Sequence, residues 1–548
     1  MHPHMIHHTG DPATFDRDAA GLPVAGPTRV VDLADGDHVA LEAAPLRKTI
    51  GTAELRLLGY NGSIPGPTLR VRQGSQVSVT FANRTDLENT VHWHGLRVEN
   101  RFDGTHQTQA PVPVGDSFTY SVRFPDPGVY WYHPHIREDY GQELGLYGAV
   151  LVTPTEADYW PAVHREVVFT LDDILIEDDQ VAPFHRAETT HAAMGRFGNV
   201  LLVNGEPNPS FSAQRGEVVR YYLINTANTR VFNVGFTAAR MKLVGGDSGR
   251  VEREAFVESV LLAPSERIVV DVLFDTPGPV VLEQRTPERS TALATIAVAA
   301  EAAQPFLEGL FNELRTNPEL VAARERMTPF IAAAPDKTLA FVAELQLVSE
   351  EGASSYACPM HPEIVSATPG RCPICGMTLL PASLVATPAA HATHHDMSAH
   401  AGHHGHVQDT QPPTDGIEWE DDMIEVNRQT TSANTRWKLV DRATGDEGHA
   451  IDWQFKVGDQ VKLRLVNELD SDHPMHHPFH IHGAGRFLVL SRDGSIEPNL
   501  VWKDTVLVRK GETVDILLDI TNPGIWMAHC HIAEHHESGM MLSFRVTE

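Results

Sequence analysis

From about residue 50 the chain contains short runs in which apolar and polar residues alternate, as at 69–72 and 77–81. Gly, Pro and Asn residues bound these runs. Alternation with a period of two places every second side chain on one face, so the runs predict half-buried strands. Because short strands with regular turn signals dominate, we predict an all-β chain of sandwich domains. Residues 1–45 are more polar and predict a loosely ordered N-terminal arm.

Two sequence patterns each occur three times along the chain. In the first, a Gly is followed nine residues later by Asn, which predicts a turn and then a strand that ends at the Asn. In the second, a Pro-Gly pair precedes an apolar run. The first pattern spans 74–83, 216–225 and 458–467, and the second begins at Pro127, Pro277 and Pro523. These repeats predict three related domains at 46–157, 158–302 and 337–548.

The repeats also predict which domains bind metal. A His-x-His begins five residues after the Gly of the Pro-Gly pair in the first and third units, at His133 and His529. The middle unit has Glu283 and Arg285 at the corresponding positions. We therefore predict that the first and last domains bind metal and that the middle domain holds none of these ligands.

Residues 303–336 depart from the strand pattern. Apolar residues recur at helical spacing from Phe306 onward, and Pro318 stands where a second helix can begin. We predict a helical connector here. The run 338–345 then predicts the first strand of the third domain, which an insertion at 350–412 interrupts.

The insertion begins with a small module at 354–384. Its C-x2-H and C-x2-C pairs are separated by ten residues and predict a tetrahedral site of three Cys and one His. The four ligands are Cys358, His361, Cys372 and Cys375. A structural zinc ion is one interpretation. The other is a site for Cu(I) or another soft ion, with Met360 and Met377 as additional ligands.

A Gly-, Ala- and His-rich segment follows at 391–406. Such tracts bind divalent metals loosely, and an unselective solvated linker is the alternative. The candidate accessory ligands are His394, His395, His403, His404 and His406.

Charge and composition exclude several classes of protein. Acidic residues outnumber basic residues by 72 to 43, and the formal net charge at pH 7 is −29. This balance argues against nucleic acid and against an anionic membrane surface as partners. No apolar stretch approaches the roughly 18–20 residues of a transmembrane segment, and the first residues show no signal-peptide pattern. The sequence leaves the oligomeric state and the export route open.

The segment His529-Cys530-His531 is the centre of the predicted chemistry. Neighbouring side chains of a strand face opposite sides, so Cys530 points to one metal site while the two His residues point to another. His535 and Met540 follow at short range. A thiolate, imidazoles and a weak axial thioether together suit copper. A structural Cys between ordinary His residues is the alternative.

Three further His-rich motifs complete the pattern, namely His92-Trp93-His94, His133-Pro134-His135 and His477-Pro478-Phe479-His480-Ile481-His482. With these motifs the chain resembles the three-domain bacterial multicopper oxidases, the group of laccases and cuprous oxidases, over about residues 50–300 and 416–548. The resemblance implies three cupredoxin-like Greek-key β-sandwich domains. It also implies four copper ions, one of type 1, one of type 2 and two of type 3.

The resemblance implies a ligand set for each copper ion. Those of the type 1 copper are His477, Cys530, His535 and Met540. Those of the type 2 copper are His92 and His480. Those of the type 3 pair are His94, His133, His135, His482, His529 and His531.

The resemblance also implies an activity. Small reductants give single electrons to the type 1 copper, the electrons pass along Cys530, and O2 is reduced to two waters. Asp103 occupies the position of a catalytic acid near the type 2 copper, and an ordinary Asp-Gly turn is the alternative. His536 stands where many relatives have Glu, so the second proton donor is not identified.

Two other features are interpreted as structural. The charged run at 136–146 is more typical of a surface or interdomain segment than of a catalytic one. His473 and His476, just before the first type 1 ligand, are interpreted as solvated turn residues, and an additional copper contact is the alternative.

The module at 354–384 resembles the heavy-metal-binding module of bacterial copper and silver efflux proteins. The hypothesis is that it captures Cu(I) for oxidation at the type 1 copper, in copper tolerance. A general laccase or bilirubin-oxidase-like enzyme with a structural zinc module is one alternative, and a copper-sequestering protein is another. O2 and reductants such as Cu(I) or phenols are the expected partners. The resemblance implies work outside the cytoplasm, in the periplasm or at the cell surface.

Overall fold

The computed structural model describes residues 13–346, 353, 355–385 and 415–548. Within these ranges the chain forms three β-sandwich domains, a helical connector and a small inserted module. The predicted His-rich segment at 391–406, with all of its candidate ligands, lies outside the described residues.

Domain 1 is a sandwich of a five-stranded and a four-stranded sheet. Its strands are β1 (Val30–Leu33), β2 (His38–Ile50), β3 (Ala53–Tyr60), β4 (Thr68–Arg72), β5 (Gln76–Asn83), β6 (His92–His94), β7 (Ser117–Arg123), β8 (Gly128–His133) and β9 (Gly148–Thr153). The sheet orders are β1-β4-β9-β8-β6 and β3-β2-β5-β7. A short helix, α1 (Glu138–Gly141), follows β8. The edge strand β6 pairs with β8, so His92 lies opposite His133.

Domain 2 has a six-stranded sheet packed on a five-stranded sheet. Its strands are β10 (Arg165–Ile174), β11 (Ile176–Glu177), β12 (Gln180–Val181), β13 (Val200–Val203), β14 (Ser210–Arg215), β15 (Glu217–Asn225), β16 (Phe232–Phe236), β17 (Arg240–Gly246), β18 (Gly249–Val257), β19 (Val260–Leu262), β20 (Arg267–Phe274), β21 (Gly278–Arg285) and β22 (Ser290–Ala302). The sheet orders are β13-β10-β15-β20-β17-β18 and β14-β22-β21-β16-β19, and β11 and β12 form a separate ribbon.

The connector contains two helices, α2 (Glu308–Asn312) and α3 (Pro318–Ala332). The side chain of Asn317 accepts a hydrogen bond from the Glu319 backbone N–H, and proline occupies the first turn of α3, where its missing N–H has no cost. The buried face of α3 packs on apolar residues of domain 3 that include Trp502. This packing holds the connector against the third domain.

Domain 3 repeats the two-sheet architecture and carries the module. Its elements are β23 (Lys337–Leu345), the module strands β24 (Tyr356–Ala357), β25 (Val365–Ser366) and β26 (Leu380–Pro381), α4 (Ile424–Asn427), β27 (Thr435–Asp441), β28 (Gln454–Lys456), β29 (Gln460–Asn467), β30 (His477–Ile481), β31 (Gly485–Arg492), β32 (Ser495–Ile496), β33 (Thr505–Val508), β34 (Thr513–Ile520), β35 (Gly524–Cys530), α5 (Ala533–Glu537) and β36 (Met541–Thr547). The sheet orders are β27-β23-β29-β34-β31-β32 and β28-β36-β35-β30-β33.

The Gly-to-Asn repeat marks the same strand in each domain. Strands β5, β15 and β29 end at Asn83, Asn225 and Asn467, and all three Asn side chains are buried. Each amide group donates to two backbone carbonyls of neighbouring segments; for Asn225 these belong to Arg230 and Leu262. The Asn therefore satisfies backbone carbonyls that would otherwise be buried without partners.

The Pro-Gly repeat marks the strands that reach the metal centre. Strands β8, β21 and β35 each begin at the Gly of the pair. In domains 1 and 3 the strand ends at His133 and at Cys530, whereas Glu283 and Arg285 of domain 2 pair with each other, 3.3 Å apart. Domain 2 therefore has an ion pair at the positions where domains 1 and 3 have candidate ligands.

The prediction of a loosely ordered arm over residues 1–45 was wrong for its second half. Strand β1 pairs in parallel with β4, and β2 pairs with β3 and β5. Leu41 and Ala43 of β2 are buried. The apolar residues of this segment are too sparse to predict a strand, and pairing with residues distant in sequence decides its structure.

Among the described residues, every helix falls short of the length and apolar character that crossing a membrane requires.

Replacing Asn225 by Ala tests the repeated amide. The variant loses both donated hydrogen bonds and the one that Oδ1 accepts from the Ala227 backbone N–H. We expect domain 2 to lose about 2–3 kcal/mol of stability, because buried carbonyls are left unsatisfied, and calorimetry measures the resulting fall in Tm. Asn199→Ala is the control, since the exposed Asn199 amide also bonds backbone groups. An equal effect of both substitutions contradicts the interpretation.

Candidate metal centre

Strand β35 and the residue that follows it contribute to three groups of buried candidate ligands. Cys530, at its end, lies in a group with His477 and His535. The flanking residues His529 and His531 lie in two other groups, on the opposite side of the strand. The alternation of strand side chains thus gives one segment two roles, as the sequence predicts.

The first group, here called the Cys530 centre, consists of His477, Cys530, His535 and Met540. Cys530 Sγ lies 3.5 Å from His477 Nδ1 and 3.7 Å from His535 Nδ1, and the two Nδ1 atoms are 3.3 Å apart. Met540 is fully buried, and its backbone carbonyl accepts a hydrogen bond from the Cys530 N–H. One thiol and two imidazole nitrogens therefore converge on a single point.

The surroundings fix the orientation of both imidazoles. The ring of His535 stacks on Trp437 at a centroid distance of 3.9 Å, and its Nε2 lies 3.3 Å from the Ala193 carbonyl oxygen. The ring of His477 stacks on Phe341. Since Nε2 of His535 is engaged with a carbonyl, its Nδ1 keeps the lone pair and is available as a ligand. Burial raises the pKa of the Cys530 thiol, so a bound cation is needed to favour the thiolate.

The second group, here called the His cluster, lies between domains 1 and 3. It is made of eight buried residues, four from each domain: His92, His94, His133, His135, His480, His482, His529 and His531. Among its triads are His94, His133 and His531; His135, His482 and His529; and His92, His94 and His480. Each of these triads combines residues of the two domains, so the cluster exists only when the domains are docked.

His92 and His480 are oriented in the same way. His92 Nδ1 donates to the Asp103 carbonyl oxygen at 2.7 Å, and His480 Nδ1 donates to the Asp504 carbonyl oxygen at 2.9 Å. Each Nε2 is buried without a hydrogen-bond partner. Because Nδ1 carries the proton, each Nε2 presents a lone pair, which suits the two ligands predicted for the type 2 copper.

The triad of His94, His133 and His531 also presents free ring nitrogens. His94 Nε2 lies 3.0 Å from Asp504 Oδ1, which leaves Nδ1 without a partner. His133 Nδ1 donates to the Pro134 carbonyl oxygen, which leaves Nε2 free, and both nitrogens of His531 are unpartnered. Buried nitrogens without partners are costly unless a cation binds them.

The triad of His135, His482 and His529 gives the sharpest test of metal binding. His482 Nδ1 donates to Asp103 Oδ2 and His529 Nδ1 donates to the Cys530 carbonyl oxygen, so both Nε2 atoms carry lone pairs. These atoms are only 3.0 Å apart, and His135 Nε2 lies 3.3 Å from His482 Nε2. Facing lone pairs repel each other, whereas metal–nitrogen bonds of about 2 Å place ligand nitrogens at roughly this separation. The residues fit a bound metal ion.

The electrostatics favour neutral imidazoles at several positions of the cluster. Burial lowers the pKa of His92 to about 3 and holds the pKa values of the His94, His482 and His529 rings well below the usual range. Neutral imidazole is the form that binds metals, so the cluster is ready for cations at neutral pH.

Asp103 lies where the resemblance implies an acid. Its backbone carbonyl orients His92 and its carboxylate orients His482. Burial raises the pKa of Asp103 well above its usual value. The following residue, Gly104, has φ +86°, and a Cβ there would lie 2.0 Å from the Val91 carbonyl oxygen. The Asp-Gly turn is therefore present, and it brings the carboxylate to the cluster.

Glu138 is a site residue that the sequence interpretation did not identify. Its Oε1 lies 3.2 Å from His135 Nδ1 and 3.4 Å from His536 Nδ1, and all three side chains are buried. Burial opposes the charged ring, but the neighbouring Glu138 raises the pKa of His536. The charged run at 136–146 lies between domains, as one interpretation had it, but it is buried and its first acidic residue contacts a ligand.

Asp504 is the second site residue that the sequence interpretation did not identify. It contacts both His94 and His480, yet it belongs to no His-rich motif. Burial by itself would raise the pKa of Asp504, but the neighbouring Arg267 holds this pKa well below its usual value. Only the fold brings this carboxylate from one side of domain 3 to the cluster.

The module contains the predicted four-residue group. The ligand atoms of Cys358, His361, Cys372 and Cys375 all lie within 4.8 Å of one another. Cys358 Sγ is 3.6 Å from Cys375 Sγ, and a hydrogen bond from Cys375 lowers the pKa of Cys358. The four donors are arranged as a tetrahedral soft-metal site requires.

The two module methionines have different surroundings. Met360 is half-buried beside the module cysteines. Met377 is buried in the core of domain 3, in the same cluster as Cys530 and Met540. The module is thus packed onto the domain that holds the Cys530 centre.

The interpretation of His473 and His476 as solvated turn residues was wrong. Both side chains are fully buried, and burial lowers the pKa of each to about 3. His473 Nε2 lies 3.1 Å from Met194 Sδ, and its Nδ1 has no hydrogen-bond partner. His476 Nδ1 accepts from the Glu418 backbone N–H. The reason is the packing of the module and of domain 2 over this loop, which the sequence does not reveal.

Comparison with known proteins agrees with the site. Sequence models of the multicopper oxidase family match residues 46–157, 153–281 and 420–548. A model of the heavy metal binding domain matches residues 355–382. The multicopper oxidase mco of Staphylococcus aureus is 23% identical over 502 residues, which cover 90% of this chain and 84% of that protein.

Solved structures share the fold. The multicopper oxidase from Campylobacter jejuni, described as a metallo-oxidase, is 20% identical with a TM-score of 0.64 and covers 97% of this chain and 99% of its own. The laccase-like multi-copper oxidase CueO of Ochrobactrum sp., described as active towards lignin model compounds, is 20% identical with a TM-score of 0.65 and covers 96% and 100%.

The fold and the site together define a copper-dependent oxidoreductase that uses O2. The chain belongs to the multicopper oxidase family, whose sequence models together match more than half of it, and it carries a heavy metal binding domain within domain 3.

Asp103→Asn tests the role of the buried acid. The amide can still accept a hydrogen bond from His482, but it cannot deliver a proton. We expect O2 consumption to fall about 10–100-fold while the blue absorption of the Cys530 centre is retained. Asp126→Asn is the control, because Asp126 pairs with Arg97 of domain 1 and Arg486 of domain 3 but with none of the candidate ligands. Normal turnover of the Asp103 variant would refute the assignment.

Cys372→Ser tests the independence of the module. The variant loses one soft donor of four, so we expect the module to release its metal while the Cys530 centre keeps its blue absorption. Metal content measured by mass spectrometry, with and without the substitution, checks this expectation. Ser366→Ala, in module strand β25, is the matched control. Loss of the blue colour together with the module metal would show that the two sites are not separate.

Proposed function

We propose that the chain couples one-electron oxidation of Cu(I) to the four-electron reduction of O2 to water, in copper tolerance. The observation that carries the proposal is the position of Cys530, whose thiol lies in one ligand group while the residues on either side of it lie in the other. The Cys530 centre would hold the type 1 copper. His92 and His480 would hold the type 2 copper. The triads that contain His133 and His135 would hold the type 3 pair.

When bound, the four coppers would together hold the four electrons that reduction of O2 to two waters requires, one at the Cys530 centre and three at the His cluster. The chain contributes the wiring and the protons. Covalent bonds join Cys530 to His529 and His531, and the His529 ring also donates to the Cys530 carbonyl oxygen. Asp103, beside His482, and the pair of Glu138 and His536, beside His135, are buried groups that can pass protons to the developing water.

The docking of the module supports Cu(I) as the substrate. Thr378 donates to Asp472 through both its backbone N–H and its Oγ1, each at 2.9 Å. Arg371 donates to the Ser471 carbonyl oxygen and pairs with Asp470 at 2.9 Å. These contacts fall on the loop that leads into His477. A Cys3His site for soft ions is thereby held on the segment that enters the Cys530 centre.

Soft side chains continue from the module towards that centre. Met377 and Met475 lie in the same buried core as Met540, and His473 and Met194 contact each other beside Trp437. Thioether and imidazole groups are good ligands for Cu(I) and poor ligands for hard cations. The composition of this core favours a copper substrate over a bulky organic one.

A general oxidase of phenols is the second candidate. A compact Cys3His group is also typical of a structural zinc site, and in that case the module only stabilises domain 3. Storage of copper without turnover is the remaining alternative. The proposed location outside the cytoplasm depends on the family resemblance alone.

The decisive experiment compares Cu(I) and a phenol as reductants in O2 uptake by the copper-loaded full chain. Because Met377 fills part of the domain 3 core, the double variant Cys358→Ser/Cys375→Ser is a cleaner change than deletion of residues 350–412. We expect the Cu(I) rate to fall about tenfold and the phenol rate to stay unchanged.

Three other outcomes exclude the proposal. Equal retention of both rates favours the phenol oxidase, and an equal fall of both rates together with a lower Tm favours a structural zinc module. Absence of O2 uptake by the unsubstituted chain with either reductant favours storage. Ser366→Ala again serves as the control within the module.

A further inference from the structure

Domain 2 holds none of the candidate copper ligands, yet one of its side chains reaches the His cluster through Asp504. Asp504 Oδ1 lies 3.0 Å from His94 Nε2, and its backbone carbonyl oxygen accepts from His480 Nδ1 at 2.9 Å. The rings of His94 and His480 stack at a centroid distance of 3.8 Å. One residue thus orients two ligands that come from different domains.

Arg267, at the start of β20 in domain 2, grips this carboxylate. Its Nη1 donates to Asp504 Oδ1 at 2.7 Å and its Nη2 donates to Asp504 Oδ2 at 2.5 Å. Its Nε donates to the Val129 carbonyl oxygen at 3.0 Å, in the strand that ends at His133. The guanidinium is fully buried and contacts all three domains.

The geometry leaves little freedom for this contact. Gly95, which follows His94, has φ +80°, and a Cβ there would lie 2.5 Å from Asp504 Oδ2 and 2.7 Å from Arg267 Nη2. Domain 2 in turn fixes Arg267, since its backbone N–H donates to Asp247 Oδ1 at 2.8 Å. Lys503, next to Asp504, pairs with Asp247 at 3.2 Å. The ionic contacts run in both directions between domains 2 and 3.

We propose that Arg267 is a positioning residue for the trinuclear copper site, and that domain 2 is retained partly to supply it. The two-pronged guanidinium holds the Asp504 carboxylate in one orientation. With Asp504 fixed, the Nε2 of His94 is engaged and its Nδ1 faces the cluster. Without the guanidinium, the carboxylate can rotate, and His94 loses the group that engages its Nε2. The inference depends on the proposed copper assignment of the His cluster.

The test uses Arg267→Gln and Arg267→Lys in the copper-loaded full chain. Lys keeps the charge but cannot donate from two parallel N–H groups. We expect both variants to retain the blue absorption of the Cys530 centre and to lose type 2 and type 3 copper, with about 10-fold weaker retention of those ions under dialysis against a chelator. Electron paramagnetic resonance and copper content measure the cluster separately from the blue centre.

Arg220→Gln is the matched control. Arg220 is buried in the same sheet of domain 2 and grips Asp271 of β20 at 2.8 and 2.9 Å, but it contacts no candidate ligand. Its loss removes an equivalent buried ion pair, so we expect a lower Tm with a normal cluster.

The inference is wrong if Arg267→Gln keeps a full cluster, or if Arg220→Gln loses the cluster to the same extent. Should Arg267→Gln fail to fold, the same criteria apply to Arg267→Lys, which preserves the buried charge balance. Absence of type 2 and type 3 signals in the unsubstituted chain refutes the proposed function instead, so the two failures are distinguishable.

Discussion

Eight buried imidazoles face one another between domains 1 and 3, and their crowding constrains the groups that surround them. Rings whose lone pairs converge, as at the 3.0 Å separation between His482 and His529, repel one another unless a cation lies between them. The protein offsets this by hydrogen bonds that fix most of these rings from outside. The backbone carbonyl oxygens of Asp103, Asp504 and Cys530 each accept a hydrogen bond from one Nδ1–H, so the free nitrogens of those rings point inward. The site is preorganised by groups that are not ligands.

This constraint explains why a domain without ligands belongs to the site. Domains 1 and 3 supply the imidazoles, and Asp504 contacts one imidazole of each domain. A buried carboxylate such as Asp504 needs a counter-charge in order to stay ionised. Arg267 of domain 2 supplies it, and Lys503 and Asp247 extend the ionic contacts between domains 2 and 3. The middle domain contributes charged side chains that support the site, although it holds none of the candidate copper ligands.

The loop before His477 lies between two candidate metal sites, the Cys3His group of the module and the Cys530 centre. The module contacts this loop through Thr378 and Arg371, and the loop then continues into a ligand of the Cys530 centre. Asp472 in the loop also accepts a hydrogen bond from the Leu345 backbone N–H, at the end of β23. The module is therefore anchored at the strand from which it departs and at the site that it faces, which makes it part of domain 3.

The strand repeats, the two domains that carry the candidate ligands and the grouping of the ligand motifs could all be predicted from the sequence. These are local patterns, since a period of two decides which side chains share a face, and the spacing within His529-Cys530-His531 decides that Cys530 faces away from its neighbours. The residues that surround the ligands became apparent only from the tertiary structure. Glu138, Asp504 and Arg267 lie outside the His-rich motifs, and strand pairing drew residues 30–45 out of the predicted arm. Apart from the local contact of Glu138 with His135, these roles arise from contacts between residues distant in sequence, and no local periodicity records such contacts.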